Sequence, residues 1–394
     1  MLVNRIPALA YRLGRYAWRA WHDARPAARN HGISPWRIVR EQVALKRKTG
    51  LRPDEYYMFG LDDPAIPFEE KLAYISDEGR KMWYVMTPRR YHCIYRNKLI
   101  FKHVFGSMGF PVAKLYALYD PLSGHTVEGA PLRTAEDIAG WMEACDADEV
   151  VFKPVESAEG RMVFVMAGRK PGDRRAFLHV DGEEYSPERI VRELNDPAAL
   201  AVAYPDTPVQ RTFLVEERLH PHPEIAALTG SGTLCCVRLV TLVTLSGAVE
   251  IIATYFKVQP AAMSADNSED TRDTLFATFD SETGRLGAGY FYYRHDPTPY
   301  TRHPNGGQEF LGRELPHWRE AVALAKRAAA AFPLARTIGW DIAMTDNGPY
   351  LIEGNAAWGV RSVQFVWRRG LATPRFMEVY RHQQALYGKE ASGD

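Results

Sequence analysis

The sequence predicts an α+β chain, mixed α/β in its ordering, with helices gathered at the start and antiparallel strands in the second half. Three observations carry this. Residues 1–95 hold several helical patterns with start and stop signals. Residues 209–258 hold three runs rich in β-branched residues. Residues 339–355, GWDIAMTDNGPYLIEGN, place turn residues between two apolar runs, as a hairpin does. The combination excludes a doubly wound parallel sheet.

The elements follow in order. The first 22 residues carry Arg5, Arg12, Arg15 and Arg19 and no acid, with Ile6, Leu9, Leu13 and Tyr16 at helical spacing. Two readings stand: docking on an anionic membrane surface, or a helix packed on its own domain with its arginines in solvent. In ISPWRIVREQVALKRKTG, Ser34-Pro35 starts a helix and Gly50 ends it. TAEDIAGWMEA (134–144) and SPERIVREL (186–194) are read as beginning the same way, each as a capping box with its acid three residues after the cap. DEVVFKPV (148–155), VQRTFLVEERL (209–219), TLCCVRLVTLVT (233–244) and VEIIATYFKV (249–258) read as strands. The polar stretch 259–273 reads as a long loop, and HWREAVALAKRAAAAF (317–332) as a strong helix.

Composition narrows the class. With 46% apolar and 25% charged residues, the chain fits an ordinary soluble globular protein. A net charge of +1 gives no global argument for a nucleic-acid partner. No apolar run is long enough to span a membrane, and the N-terminus lacks the apolar core of a secretory signal. Cys93, Cys145, Cys235 and Cys236 form no CxxC, so neither a disulfide framework nor a zinc site is expected. The cytoplasm is the default location, with contact at the membrane periphery through the basic N-terminus as the variant.

In the hairpin, Asp341, Glu353 and Asn355 are polar among apolar neighbours. A two-residue Asn347-Gly348 loop would send Glu353 to the face opposite Asp341. A three-residue loop over 346–348, with Gly348 left-handed and Thr345 paired with Pro349, puts Asp341 opposite Glu353 and Asn355 on the same face. Two carboxylates that close call for a cation in a dry site. An oxygen-only set of Asp, Glu and Asn suits Mg²⁺ that also takes phosphate oxygens. A solvated hairpin face is the plainer alternative. In VVFKPVESAEGRMVFV (150–165), Lys153 ends a strand, where a lysine is expected outside the core, and could contact ATP phosphates. Backbone N–H groups over Ser157 to Gly160 could close on those phosphates.

In this order the pieces resemble the ATP-grasp superfamily, over roughly residues 95–365. The nearer resemblance is to the ATP-grasp proteins associated with sugar transfer and polysaccharide gene clusters. The similar segments are LKRKTGLRPDEYYMFGLDDP (45–64), NKLIFKHVFGSMGFPV (97–112), EERLHPHPEIAAL (216–228), TLCCVRLVTLV (233–243) and IGWDIAMTDNGPYLIEGN (338–355). The resemblance implies an ATP-grasp fold, in which two α+β subdomains clasp ATP beside a mostly helical N-terminal region. The expected division is 1–95 for that region, 96–215 for the first subdomain with its preceding segment, and 216–394 for the second subdomain with the metal site and C-terminal helix. Carried over by position, Asp341, Glu353 and Asn355 hold Mg²⁺, Lys153 contacts the α/β phosphates, and Lys98 or Lys102 is the earlier ATP lysine. Glu216 and Glu217 lie at the adenine hinge, and Glu224 is a candidate for the ribose hydroxyls. Two departures stand out. Many relatives carry a basic residue two before the first metal acid, where this chain has Gly339, and Arg238 on a neighbouring strand is expected to supply that charge. Many also have Pro-Gly after the E-x-N, where this chain has Ala356-Ala357-Trp358-Gly359.

The implied chemistry is that of an ATP-dependent carboxylate–amine ligase. A substrate carboxylate, from a sugar acid or amino acid, takes the γ-phosphoryl group, and an amine displaces phosphate from the acyl phosphate. Arg238 and Lys153 are the catalytic candidates, while the 157–161 loop and residues 259–273 exclude water. The alternatives are a kinase using the same ATP site and a non-catalytic nucleotide-binding protein. Lys257, Arg294 and Arg302 are candidates for an anionic acceptor, with a solvated surface as the plainer reading. His220, His222, His295 and His303 read as surface or hydrogen-bonded residues.

Overall fold

A computed structural model describes residues 18, 20–76, 82–156, 161–203, 211–258, 272, 274–304 and 307–392. Most of the basic N-terminal stretch (1–17 and 19), Ser157 to Gly160, and residues 259–271 and 273 lie outside them. The chain divides into two compact units, Met1–Met86 with Gly359–Asp394, and Thr87–Trp358.

The first unit is helical, as its capping signals predict. Helix α1 spans 20–30 and α2 spans Pro35–Thr49. Gly50 ends α2 in the left-handed region at φ 78°, where a side chain would strain, and its N–H donates to the Lys46 carbonyl. Helix α2 buries Ile38, Gln42, Leu45 and Thr49 along one stripe. Glu41 accepts from Lys71 Nζ at 3.0 Å and from the Tyr56 hydroxyl at 2.5 Å, so this internal charge is paired. On the helix Val360–Trp367, the Gln364 amide accepts from the Ile75 N–H and donates to its carbonyl, tying the C-terminal segment to the N-terminal one.

Among the described residues the second unit holds two seven-stranded sheets, and every strand pairing is antiparallel. Strands β1 (Leu115–Tyr119), β2 (His125–Thr126), β3 (Val150–Pro154), β4 (Phe164–Lys170), β5 (Asp173–His179), β6 (Glu184–Tyr185) and β7 (Phe213–Glu217) form the first, in the order β2-β1-β7-β3-β4-β5-β6. Its Phe152, Phe177, Phe213 and Val215 pack on Ile138, Trp141, Ile190 and Leu194 of the helices Ala135–Ala144 and Pro187–Leu194. Thr134 and Asp137 form the reciprocal capping box. At the other helix the acid is Glu188, two residues past Ser186, and it takes the Ser186 hydroxyl instead of closing a box.

Strands β8 (Cys236–Val243), β9 (Val249–Val258), β10 (Leu275–Phe279), β11 (Leu286–Phe291), β12 (Asp296–Tyr300), β13 (Thr337–Thr345) and β14 (Gly348–Asn355) form the second sheet, in the order β12-β11-β10-β9-β8-β13-β14. On β13, Ile338, Trp340, Ile342 and Met344 join the core. Gly339, Asp341 and Ala343 therefore face the other way. Helices α3 (Lys98–Ser107) and α4 (Trp318–Ala331) cover that core, α3 with Phe101 and Phe105 and α4 with Leu324 and Ala325. Phe105 meets Trp340 edge-on at 5.5 Å.

The hairpin reaches the expected facing by a different route. Its loop has two residues, Asp346 and Asn347, and Thr345 pairs with Gly348 rather than with Pro349. Gly348 opens β14 at φ 100°. That register alone would set Ile352 against Asp341. The register shifts between Asp341 and Ile342, so Ile342 pairs with Leu351 and Asp341 with Glu353. Ile352 is the extra residue of a β-bulge, a device that re-aims a side chain.

Candidate active site

The site grows from one polar row across the second sheet. Asp341 pairs across strands with Glu353 on one side and Arg238 on the other, and Arg238 pairs with Tyr255. Lys257, two residues beyond Tyr255 on β9, lies on that same face. Arg238 donates to both Asp341 carboxylate oxygens, the Nη2 bond measuring 2.6 Å, and also donates to the Trp358 carbonyl at 3.3 Å. Lys257 Nζ lies 3.7 Å from Asp341. Burial pushes the Asp341 carboxyl up, but Arg238 and Lys257 outweigh it and hold its pKa down at about 2. Burial likewise works against the Arg238 charge, and Asp341 more than restores it.

Glu353 faces Asp341 across the strands, accepts from the Asn355 amide at 3.0 Å, and lies 4.0 Å from Lys98 Nζ. Asn355 pairs across strands with Gly339. Gly339 is close-packed: a Cβ there would lie 2.4 Å from Trp358 Cβ and 3.0 Å from Arg238 Cδ. The missing side chain is therefore the space that the Arg238 stem and Trp358 use, which gives the departure at this position a steric reason.

A second cluster lies on the first sheet. Lys153 and Glu216 lie on adjacent strands, on the face opposite the core residues Phe152 and Val215. Glu216 sits 2.5 Å from Lys153 Nζ and 2.7 Å from Lys102 Nζ, and Lys102 also donates to the Ala113 carbonyl at 2.5 Å. Burial raises the Glu216 pKa, and the two lysines together outweigh it and lower it. Burial lowers Lys102 and Lys98, against the pull of Glu216 and Glu353 respectively. Asn97 caps α3 through the Leu99 and Ile100 N–H groups. Lys98 and Lys102 are four apart on it and share a face. The helix that carries them into this cluster packs its aromatic side on the second sheet.

The structure thus brings together Lys98, Lys102, Lys153, Glu216, Arg238, Lys257, Asp341, Glu353 and Asn355. Three expectations change. Lys153 is 8% exposed and ion-paired, so it is not a surface lysine at a strand end. The Glu216 side chain is the bridge between two lysines, and its backbone is paired on both sides within β7. Lys257 is buried against Asp341 rather than exposed to an acceptor. Glu217 is half-buried, pairs with Val150 and donates its N–H to Lys114. Glu224 is exposed and lines a surface pocket with Glu314, His317 and Glu320. Ser157 and Gly160 are among the residues not described. Arg294 and Arg302 are exposed, Arg302 beside Glu309. His220 meets Glu149 at 2.5 Å, and His222 stacks edge-on with His317.

Tyr255 and Trp358 were missed as site residues. Period-2 spacing from Lys257 could have found Tyr255. Nothing in the local sequence marks Trp358, whose role depends on the space at Gly339.

Two facing carboxyl groups with cationic side chains around them lie beside two lysines that share a buried glutamate. The chain belongs to the sugar-transfer associated ATP-grasp family, whose description it matches over residues 81–379. ATP and Mg²⁺ are the cofactors of that family. No curated protein is significantly similar in sequence. Among solved structures it is similar to D-alanyl-alanine synthetase A from Vibrio cholerae, at 11% identity and a TM-score of 0.38, over 74% of this chain and 65% of that one. It is also similar to D-alanine–D-alanine ligase from Helicobacter pylori (10%, TM-score 0.39, 79% and 68%). A third similarity is to biotin carboxylase from Campylobacter jejuni (13%, TM-score 0.38, 74% and 46%). The chain spans under two thirds of the first of these and under half of the third.

The residues present fit Mg²⁺. Two carboxyl groups facing each other across adjacent strands suit a shared cation, which offsets their repulsion. The donor set is oxygen-only, and Asp341 keeps lone pairs beyond those that Arg238 uses.

Proposed function

We propose that the protein is an ATP-dependent carboxylate–amine ligase that forms an acyl phosphate on a sugar acid or amino acid, in polysaccharide or related biosynthesis. The observation that carries this reading is the meeting of the two clusters at Lys98, whose ammonium lies 4.0 Å from Glu353 on a helix that also sends Lys102 to Glu216. Lys98, Lys102 and Lys153 bind the phosphate oxygens, which take over the charge that Glu216 balances in their absence. Arg238 and Lys257 keep Asp341 ionised and oriented. Asp341, Glu353 and Asn355 would hold Mg²⁺, which when bound neutralises charge on the phosphates.

The substrate carboxylate oxygen attacks the γ-phosphorus, the bond to the β-phosphate oxygen breaks, and ADP leaves. The amine then attacks the acyl carbon, the C–O bond breaks, inorganic phosphate leaves, and the amine proton passes to solvent. No protein nucleophile is required, so catalysis rests on positioning and charge. Incubation with ATP, Mg²⁺, candidate carboxylates and hydroxylamine tests the reading. Hydroxamate that depends on both ATP and a carboxylate supports it. A phosphorylated hydroxyl product with no hydroxamate would make the protein a kinase instead.

A further inference from the structure

We propose that the outer face of α2 docks the protein on an anionic lipid surface. Trp36, Arg40, Val43 and Arg47 recur at i, i+4, i+7 and i+11, which puts them in one stripe opposite the buried Ile38, Gln42, Leu45 and Thr49. All four are exposed, Trp36 to 52% and Val43 to 41%. Arg37, Lys46 and Lys48 flank the stripe, also exposed. The one acid of the helix, Glu41, is turned inward to Lys71 and Tyr56. Among the described residues, no acidic side chain pairs with Arg37, Arg40 or Arg47. An ordinary solvent face interleaves both signs of charge, and this one carries only the positive sign.

The charge is local to this end of the chain. Residues 1–50 hold eleven Lys and Arg against Asp23 and Glu41, a net +9, so the other 344 residues carry −8. A basic face on an otherwise acidic chain is attracted to a negative surface and oriented by it. Helix α1 adds an aromatic–cation pair, with the Arg25 guanidinium 5.0 Å over Trp21, and Trp18 is 64% exposed. Indole and guanidinium groups together suit the headgroup level of a bilayer. Lipid is favoured over nucleic acid because Val43 lies in the stripe, where it can enter an acyl boundary but offers no stacking plane to a base.

The test is co-sedimentation of the full chain with phosphatidylcholine vesicles, with and without phosphatidylglycerol, at low and high salt. Binding should require the anionic lipid and fall as salt shortens the screening length. Each basic residue near such a surface changes partition about fivefold. The exposed double change Arg40→Glu, Arg47→Glu should therefore lower binding by more than tenfold, with the folded state checked by circular dichroism. Trp36→Ala should weaken binding without changing its salt dependence. Absence of binding to the anionic vesicles, equal binding to phosphatidylcholine alone, or full binding by the double variant would overturn the proposal. So would displacement from vesicles by a DNA duplex at equal charge concentration, which would identify a nucleic-acid partner.

Discussion

Glu353 faces Asp341 because β14 carries one extra residue, Ile352, and not because of the turn that joins their strands. The bulge brings the second carboxylate onto the face where Arg238 and Lys257 already hold the first. The site therefore depends on a local irregularity that leaves the rest of the hairpin regular.

Replacing Glu353 with Gln separates a metal role from a structural one. The amide keeps the shape, can donate to Asp341, and removes a repulsion that exists when no cation is present. The free protein should melt within a degree or two of wild type, or above it. ATP consumption with magnesium should fall about a hundredfold or more. A large drop in melting temperature with activity retained would instead make Glu353 a structural hydrogen-bonding residue.

Gly339→Ala should be costly although only a methyl group is added. The new Cβ would lie 2.4 Å from Trp358 Cβ, an atom close to the backbone that cannot swing aside. Overpacking of this kind costs about 1–3 kcal/mol. Urea titration measures it, and a loss of turnover beyond the loss of folded protein would report displacement of Arg238. An unchanged midpoint would show that the space is not needed.

Glu216→Gln should destabilise the chain by about 3 kcal/mol, since Lys102 and Lys153 would be left buried without their counter-charge. ATP should raise the melting temperature of this variant more than that of wild type, because phosphates restore the missing anion. Equal stabilisation of both proteins would separate the lysines from the phosphate site. By the same logic Lys153→Ala should cost stability as well as ATP affinity, contrary to what a surface lysine would do.

Much of this was legible in the sequence. Pro35 at the first helical position, Gly50 and Thr134 mark their helices, because such signals act within one turn, although the Ser34 hydroxyl makes no capping bond. Asp341, Glu353 and Asn355 stand out because carboxylates among apolar residues need a reason. Arg238 was placed on a neighbouring strand. What stayed hidden depends on register between strands far apart in sequence. The approach of Lys257 to Asp341 needs β9, β8 and β13 aligned at once. The bridge at Glu216 needs α3, β3 and β7 together. The bulge at Ile352 has no local signal, since GPYLIEGN holds no glycine or proline at the bulged position.

Acid should unfold the chain in a defined window. The Asp341 pKa is depressed from about 3.8 to about 2, so between those values the unfolded chain binds more protons than the folded one. The stabilisation is fully present above about pH 4 and is lost as pH falls towards 2, an amount of about 2 kcal/mol. Glu216, also depressed, acts in the same direction. Denaturant midpoints measured from pH 5 downward should fall in that window, and Asp341→Asn should flatten the slope while lowering stability throughout. A slope unchanged by Asp341→Asn would remove this residue from the account.

The central claim is that the bulged hairpin and the lysine clusters form one site for ATP with Mg²⁺. Calorimetric titration of the full chain with ATP, in magnesium and again in a chelator, tests it without knowing the acceptor. Magnesium should tighten ATP binding at least about tenfold, equivalent to about 1.4 kcal/mol, and Glu353→Gln should abolish that gain while leaving magnesium-free binding in place. Equal affinity with and without magnesium, or a magnesium gain that survives Glu353→Gln, would contradict the account.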